Sequence, residues 1–224
     1  MLIRRNIHRA MIGLLAAAAL IPSMGGATTL QEAYETAGPA SGYDKYIELE
    51  SGRIYTGSLM IGPSLVPYTG ILAGGPGRDV RIIGNGAIID LQGGQLCISY
   101  CENRLDIDDC VVINGSIKFR GLTGIVNILP TGSVRHVTMF KPHDYGIRLQ
   151  RAGAGITIER NLVVSAVDTG NDFIYTTGIS MEWLPTGTNI STGWAAGWAD
   201  IVDNWSYHID PEDNDEMLAH FSFL

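Results

Sequence analysis

The sequence predicts an all-β fold, a solenoid of stacked short strands closed at its N-terminal end by one short helix. Three observations predict it. Apolar residues alternate with polar ones at period two, as Ile147, Leu149, Ile156 and Ile158 do against Arg148, Gln150, Thr157 and Glu159, and that is the period of a strand with one buried face. The runs are too short for stable helices, and glycine, proline and asparagine corners separate them with no two-residue hairpin signal. The pattern also recurs: runs begin at Val80, Leu105, Val134, Ile156 and Ala199, at intervals of 25, 29, 22 and 43 residues, the last close to two turns with one unmarked coil between. A unit that cannot bury its apolar face alone does so by stacking on its neighbours.

Taken in order, the chain of 224 residues opens with Arg4, Arg5 and Arg9, an apolar run from Met11 to Ile21, and the small residues Gly25-Gly26-Ala27. This is the pattern of a signal peptide over residues 1–27, and the apolar run is too short for a comfortable membrane span. The expectation is a secreted or periplasmic protein with no stable membrane insertion after cleavage, and a single mature domain over residues 28–224. Removing the three leader arginines leaves 12 basic against 23 acidic residues, a formal charge of −11. So acidic a chain is not a general nucleic-acid binder, since a phosphate backbone requires a basic surface. The 28 glycines suit a fold with several corners in every coil.

Residues 28–41 are expected to form the cap. Leu30, Ala33, Tyr34 and Ala37 share one face of an amphipathic helix, which would cover the open strand edges of the first coil. Residues 42–209 are the coils, and residues 210–224 an acidic tail or second cap beginning at Asp210-Pro211-Glu212-Asp213. Asn85, Asn161 and Asn204 each fall five positions after a run begins, which suggests an asparagine ladder inside a corner, with Cys110 and Met139 at the positions that interrupt it. A second series, Gly124-Ile125, Gly146-Ile147 and Gly178-Ile179, opens another set of strands and implies an inserted loop from Ser165 to Thr177. A second irregular stretch runs from Leu184 to Trp198. Cys97, Cys101 and Cys110 are read as buried packing residues; a local disulfide is the other reading.

The segments "YIELESGRIYTGSLMI", "VRIIGNGAIIDL", "LDIDDCVVING", "ITIERNLVV" and "ADIVDNWSYHI" cover almost the whole mature chain. Behind a short helix, they resemble the coils of right-handed parallel β-helix proteins of the pectate-lyase-like superfamily. The resemblance implies a right-handed parallel β-helix and an extracellular polysaccharide as partner. It also implies a polysaccharide lyase that uses a basic residue beside calcium, favoured here over a glycoside hydrolase. Arg148, outward on its strand, matches the base; His143 and Asp144 stand beside it as the other catalytic candidates. The bland alternative makes Arg148 a solvated arginine paired with Glu159 or Asp144. Asp168 and Asp172 in the first insert are the candidate calcium ligands. Trp194 and Trp198 in the second irregular stretch, with Arg151, are the candidate substrate contacts, because aromatic faces stack on sugar rings. Asp106, Asp108 and Asp109 are further acidic candidates, with Asp108-Asp109 read as a corner. The polygalacturonase motifs are absent: there is no Asn-Thr-Asp, Gly-His-Gly or Arg-Ile-Lys. The alternative function is a non-catalytic envelope or surface protein that binds glycans or protein partners.

Overall fold

The computed structural model describes residues 28–65, 72–73, 76–122, 128–142, 145–150, 155–165, 177–182, 199–208 and 221–223. The expected leader, the acidic run at 210–216, the second irregular stretch at 184–198 and residues 166–176 of the first expected insert lie outside them; the ends of that insert, Ser165 and Thr177, belong to strands. A two-residue strand β1 (Thr28–Thr29) leads into helix α1 (Leu30–Thr36). Thr29 Oγ1 accepts the Glu32 N–H at 3.0 Å and the Glu32 carboxylate accepts the Thr29 N–H at 2.9 Å, a reciprocal cap that fixes where the helix starts. Leu30 is fully buried, and Ala33, Tyr34 and Ala37 pack against the core, so the expected face is the one used. At the other end Lys45 Nζ donates to the carbonyls of Glu35 (3.0 Å) and Ala37 (2.6 Å), where a cation complements the helix dipole.

The strands that follow are β2 (Lys45–Glu48), β3 (Ile54–Thr56), β4 (Leu59–Ile61), β5 (Ser64–Leu65), β6 (Leu72–Ala73), β7 (Val80–Asp90), β8 (Gln95–Ser99), β9 (Arg104–Ile113) and β10 (Ser116–Arg120). Then come β11 (Thr131–Arg135), β12 (Thr138–Phe140), β13 (Tyr145–Gln150), β14 (Ile156–Glu159), β15 (Leu162–Ser165), β16 (Thr177–Glu182), β17 (Ala199–Val202), β18 (Trp205–His208) and β19 (Phe221–Phe223). The protein is all-β with one helix among the described residues, and its two main sheets are parallel throughout. The second sheet runs β4-β8-β10-β13-β16-β19. The first has two halves. β2, the start of β7, the start of β9, β11, β14 and β17 lie side by side in one; β3, the end of β7, the end of β9, β12, β15 and β18 lie side by side in the other. The chain passes through both halves of the first sheet, crosses to the second, and returns.

The halves meet at a corner where one residue takes a left-handed conformation: Asn85, Asp109, His136, Arg160 and Asp203, with φ between 50° and 55°. Asparagine and aspartate tolerate that region, whereas Arg160 adopts it at some cost. The residue after it begins the second half, and here the asparagine ladder forms. Asn161 Oδ1 accepts the Val137 N–H at 2.9 Å, and its Nδ2 donates to Val134 O and to Asn204 Oδ1, both at 2.9 Å. Asn204 repeats the pattern one strand on, accepting the Asn161 N–H at 2.9 Å and donating to Ile158 O at 2.7 Å. Cys110 interrupts the ladder as expected, but the other interruption is Val137, not Met139, which points into the core. Asn85 is not a member. Its corner holds three residues, Gly84 to Gly86, where the next has Asp109 alone, so Ala87 takes the ladder position and Asn85 donates instead to Leu49 O at 3.0 Å.

Register corrects the repeat in three further places. Ile156 pairs directly with Ala199, so the 43-residue interval is one passage lengthened by its inserts, with no coil between. The run assigned to Val134 begins earlier, because Gly132 stands opposite Leu105 in an inward row where its lack of a side chain hid it from the apolar count. In the preceding strand the partner of Ile147 is Ile117, while Gly124 and Ile125 lie outside the described residues. Two elements had no sequence signal: the antiparallel pair β5–β6 and the last parallel strand β19.

Inward residues stack in rows, such as Leu59, Leu96, Ile117 and Ile147 in the second sheet and Ile47, Ile82, Ile107, Val134 and Ile158 in the first, each at most 3 % exposed. Each such side chain contributes about 1.5–3 kcal/mol by leaving water. All three cysteines are buried and unpaired, as the packing reading expects. Burial pushes the Cys97 thiol to about 11 and the Cys110 thiol to about 12. In native protein at pH 8 these two should react with a thiol reagent at least a hundredfold more slowly than in denaturant, since the thiolate is the nucleophile. Equal rates would show the core to be open.

Candidate functional site

Outward residues of both sheets also form rows, with neighbours about 4.8 Å apart. In the second sheet Cys97, Lys118 and Arg148 stand in one row, continued at register by Ser180, and Ser99, Arg120 and Gln150 in the next, continued by Glu182. Alternation places Arg148 as expected: Ile147 and Leu149 are in the core and Arg148 faces outward, its guanidinium 4.5 Å from the centre of the Tyr145 ring. Lys118, directly opposite it, is only 7 % exposed. Arg120 Nε donates to Gln150 Oε1 at 3.0 Å, and its guanidinium lies 5.5 Å from the Tyr100 ring. Three cations thus occupy neighbouring outward positions on β10 and β13. Glu159, offered as a partner for Arg148, is in the first sheet, 3.7 Å from Arg135 Nε and 3.4 Å from Arg160 Nε. His143, Asp144 and Arg151 flank β13 in the chain but lie outside the described residues, as do Asp168, Asp172, Trp194 and Trp198.

A second polar group joins two of the acidic candidates, Asp106 and Asp108, to partners the sequence did not suggest. The residues Leu105-Asp106-Ile107-Asp108 are strand, so Asp106 and Asp108 both face outward from the first half of the first sheet, and only Asp109 is the corner. That corrects the corner reading of Asp108: turn propensity suggested it, and the burial of Leu105 and Ile107 overrides it. Asp106, 7 % exposed, accepts from Tyr43 Oη at 2.7 Å on one oxygen and from Ser133 Oγ on the other, with Arg104 Nε 3.2 Å away. Arg104 also covers the Tyr43 ring at 4.2 Å, and burial followed by the bond to Asp106 raises the Tyr43 phenol above its ordinary 10.0. Asp108 is more open; it meets His136 Nδ1 at 2.9 Å and Arg81 at 3.6 Å. Alternation alone could have found both aspartates, but Tyr43 is 63 residues from Asp106 and only the register joins them.

Alternate residues on a strand are about 6.6 Å apart. Asp106 and Asp108 are such a pair, but both oxygens of Asp106 are committed to hydrogen bonds, which makes it an organising group rather than an acid or a base. Among the described residues no three His, Cys, Asp or Glu side chains gather as a metal site, and no helix is long and apolar enough to cross a membrane. Comparison with protein families, with characterised proteins and with solved structures found no match.

Proposed function

We propose that the chain is an exported right-handed parallel β-helix that acts on an extracellular, uronate-bearing polysaccharide by elimination, at the outward face of the second sheet. The solenoid reading is supported by the repeated passage through two half-sheets and a crossing, always in parallel register, with a left-handed residue at the same corner. The observation that carries the substrate class is the group Lys118, Arg120 and Arg148, three cations at adjacent positions on a chain whose formal charge is −8. Such a local concentration of positive charge, with Lys118 buried and Arg120 and Arg148 half-buried, is what an acidic protein needs to hold an anionic polymer.

In this reading Lys118 and Arg120 hold the uronate carboxylate, and Arg148, once its guanidinium has released a proton to solvent, takes the proton from the carbon next to that carboxylate. The electron pair left behind forms the ring double bond, the bond to the glycosidic oxygen breaks, and that oxygen takes up a proton. The product is an unsaturated uronate, which absorbs in the ultraviolet. Calcium, with Asp168 and Asp172 as its expected ligands, would supply further neutralisation of the carboxylate.

The test is a panel of uronate polysaccharides followed by ultraviolet absorbance with calcium or with chelator. Arg148→Ala should lower kcat by about 10²–10⁴. Lys118→Ala should chiefly raise KM. Full activity in Arg148→Ala would sink the base assignment, and no product from any uronate polymer would sink elimination itself. The rival reading, a non-catalytic glycan-binding surface protein, is favoured by a separate apolar strip on the first sheet.

A further inference from the structure

The second half of the first sheet presents an outward face unlike the other two. One row reads Ile54, Ile88, Val111, Thr138, Leu162 and Trp205 across six strands. The adjacent row reads Thr56, Asp90, Ile113, Phe140 and Val164, with Tyr207 at the next register position. Between the rows Tyr55, Ile89, Val112, Met139 and Val163 turn into the core, so the face is set by the same alternation that builds the interior. It is open to solvent: Ile54 is 44 % exposed, Leu162 40 %, Phe140 38 % and Trp205 75 %. A contiguous outward apolar strip of this kind is a candidate binding surface.

Charge and size narrow the occupant. Asp90 is the one ionisable carboxylate in the two rows, and its Oδ1 already accepts from the Gln92 N–H and from Asn114 Nδ2, each at 3.0 Å. The neighbouring cation is Lys141, whose Nζ lies 5.5 Å from the centre of the Phe140 ring and so covers one face of it. Six strands at about 4.8 Å make a strip roughly 24 Å long, and three residues per strand at about 3.3 Å make it roughly 10 Å wide. That footprint of roughly 240 Å² is well short of the ~800 Å² per side of a stable protein interface. A narrow, straight strip whose one carboxylate is already hydrogen-bonded suits a narrow, straight, uncharged ligand. Its rows step from strand to strand much as the rings step along an extended β-linked glycan, and Trp205 and Phe140 supply flat faces for the apolar side of those rings.

We propose that this strip is a binding site for a neutral, extended polysaccharide chain lying across the strands, separate from the cationic face of the second sheet and independent of any elimination there. Binding to amorphous cellulose, a neutral β-linked glucan, should be measured by sedimentation depletion and should persist in 1 M NaCl, because the ligand carries no charge to pair with Asp90 or Lys141. Trp205→Ala and Phe140→Ala should each weaken it about five- to tenfold, and Leu162→Lys should abolish it, with circular dichroism unchanged in all three. Arg148→Ala should leave it intact, which separates failure of this site from failure of the eliminative one. No retention on cellulose or any other neutral glycan would overturn the proposal. So would wild-type retention in Trp205→Ala and Leu162→Lys. Two other results would give the strip to a different occupant and overturn it equally: a concentration-dependent dimer in ultracentrifugation that Leu162→Lys dissolves, or flotation with neutral phosphatidylcholine vesicles.

Discussion

Asn161→Ala should lower the free energy of unfolding by about 3 kcal/mol, measured as a fall in the denaturant midpoint at unchanged slope. Asn161 is 1 % exposed, and its amide reaches across from one strand pair to the next: the carbonyl oxygen takes the Val137 N–H and the amino group gives to Val134 O. Alanine leaves both backbone groups buried with no side chain to meet them, at about 1–3 kcal/mol each. Its amino group also anchors the Asn204 oxygen, so the next corner loosens with it. Asn204→Ala, at a half-buried position, removes the same kind of bonds where water can replace some of them. It should cost about half as much. If the two substitutions cost the same, the ladder is not the buried device described, and the corner is held by its backbone alone.

What was legible in the sequence follows from how local each signal is. Period-two alternation is a property of neighbouring residues, and it gave the strands, the outward direction of Arg148 and the buried face of α1 correctly. Parallel register is a relation between residues 21 to 43 apart, and sequence spacing recovers it only when nothing has been inserted. Hence the spurious coil before Ala199, where two inserts lie in one passage. Hence also the misplaced start at Val134, since Gly132 sits at an inward position without looking apolar. The charged faces were half legible for the same reason. Asp106 and Asp108 could be placed by alternation, but their meeting with Tyr43, Ser133 and His136 is a product of stacking. The apolar strip was hidden differently. Each of its strands contributes only one or two outward apolar residues, an ordinary number, and only their alignment across six strands makes a surface of them.

Gly132→Ala should be the most damaging small substitution in this part of the first sheet, at about 3 kcal/mol or more. Gly132 stands in the inward row of Val80, Leu105 and Ile156, yet its backbone approaches β9 so closely that an added Cβ would lie 1.9 Å from Leu105 O and 2.7 Å from its carbonyl carbon. Those are backbone atoms of a strand paired on both sides, so they cannot swing aside as a side-chain end could. At φ 139° the residue is also in a region that side chains rarely adopt. β11 must therefore move outward, and the next residue is Ser133, whose hydroxyl holds Asp106 in place opposite Tyr43. Ser133→Ala removes that hydroxyl alone and should cost about 1.5–3 kcal/mol, the range for a hydrogen bond to a charged group. Comparing the two separates backbone crowding from the loss of one bond. If Gly132→Ala unfolds at the same denaturant concentration as Ser133→Ala, the close approach of β11 to β9 carries no penalty of its own. If it falls well below, the polar cluster around Asp106 depends on a glycine that touches none of its side chains.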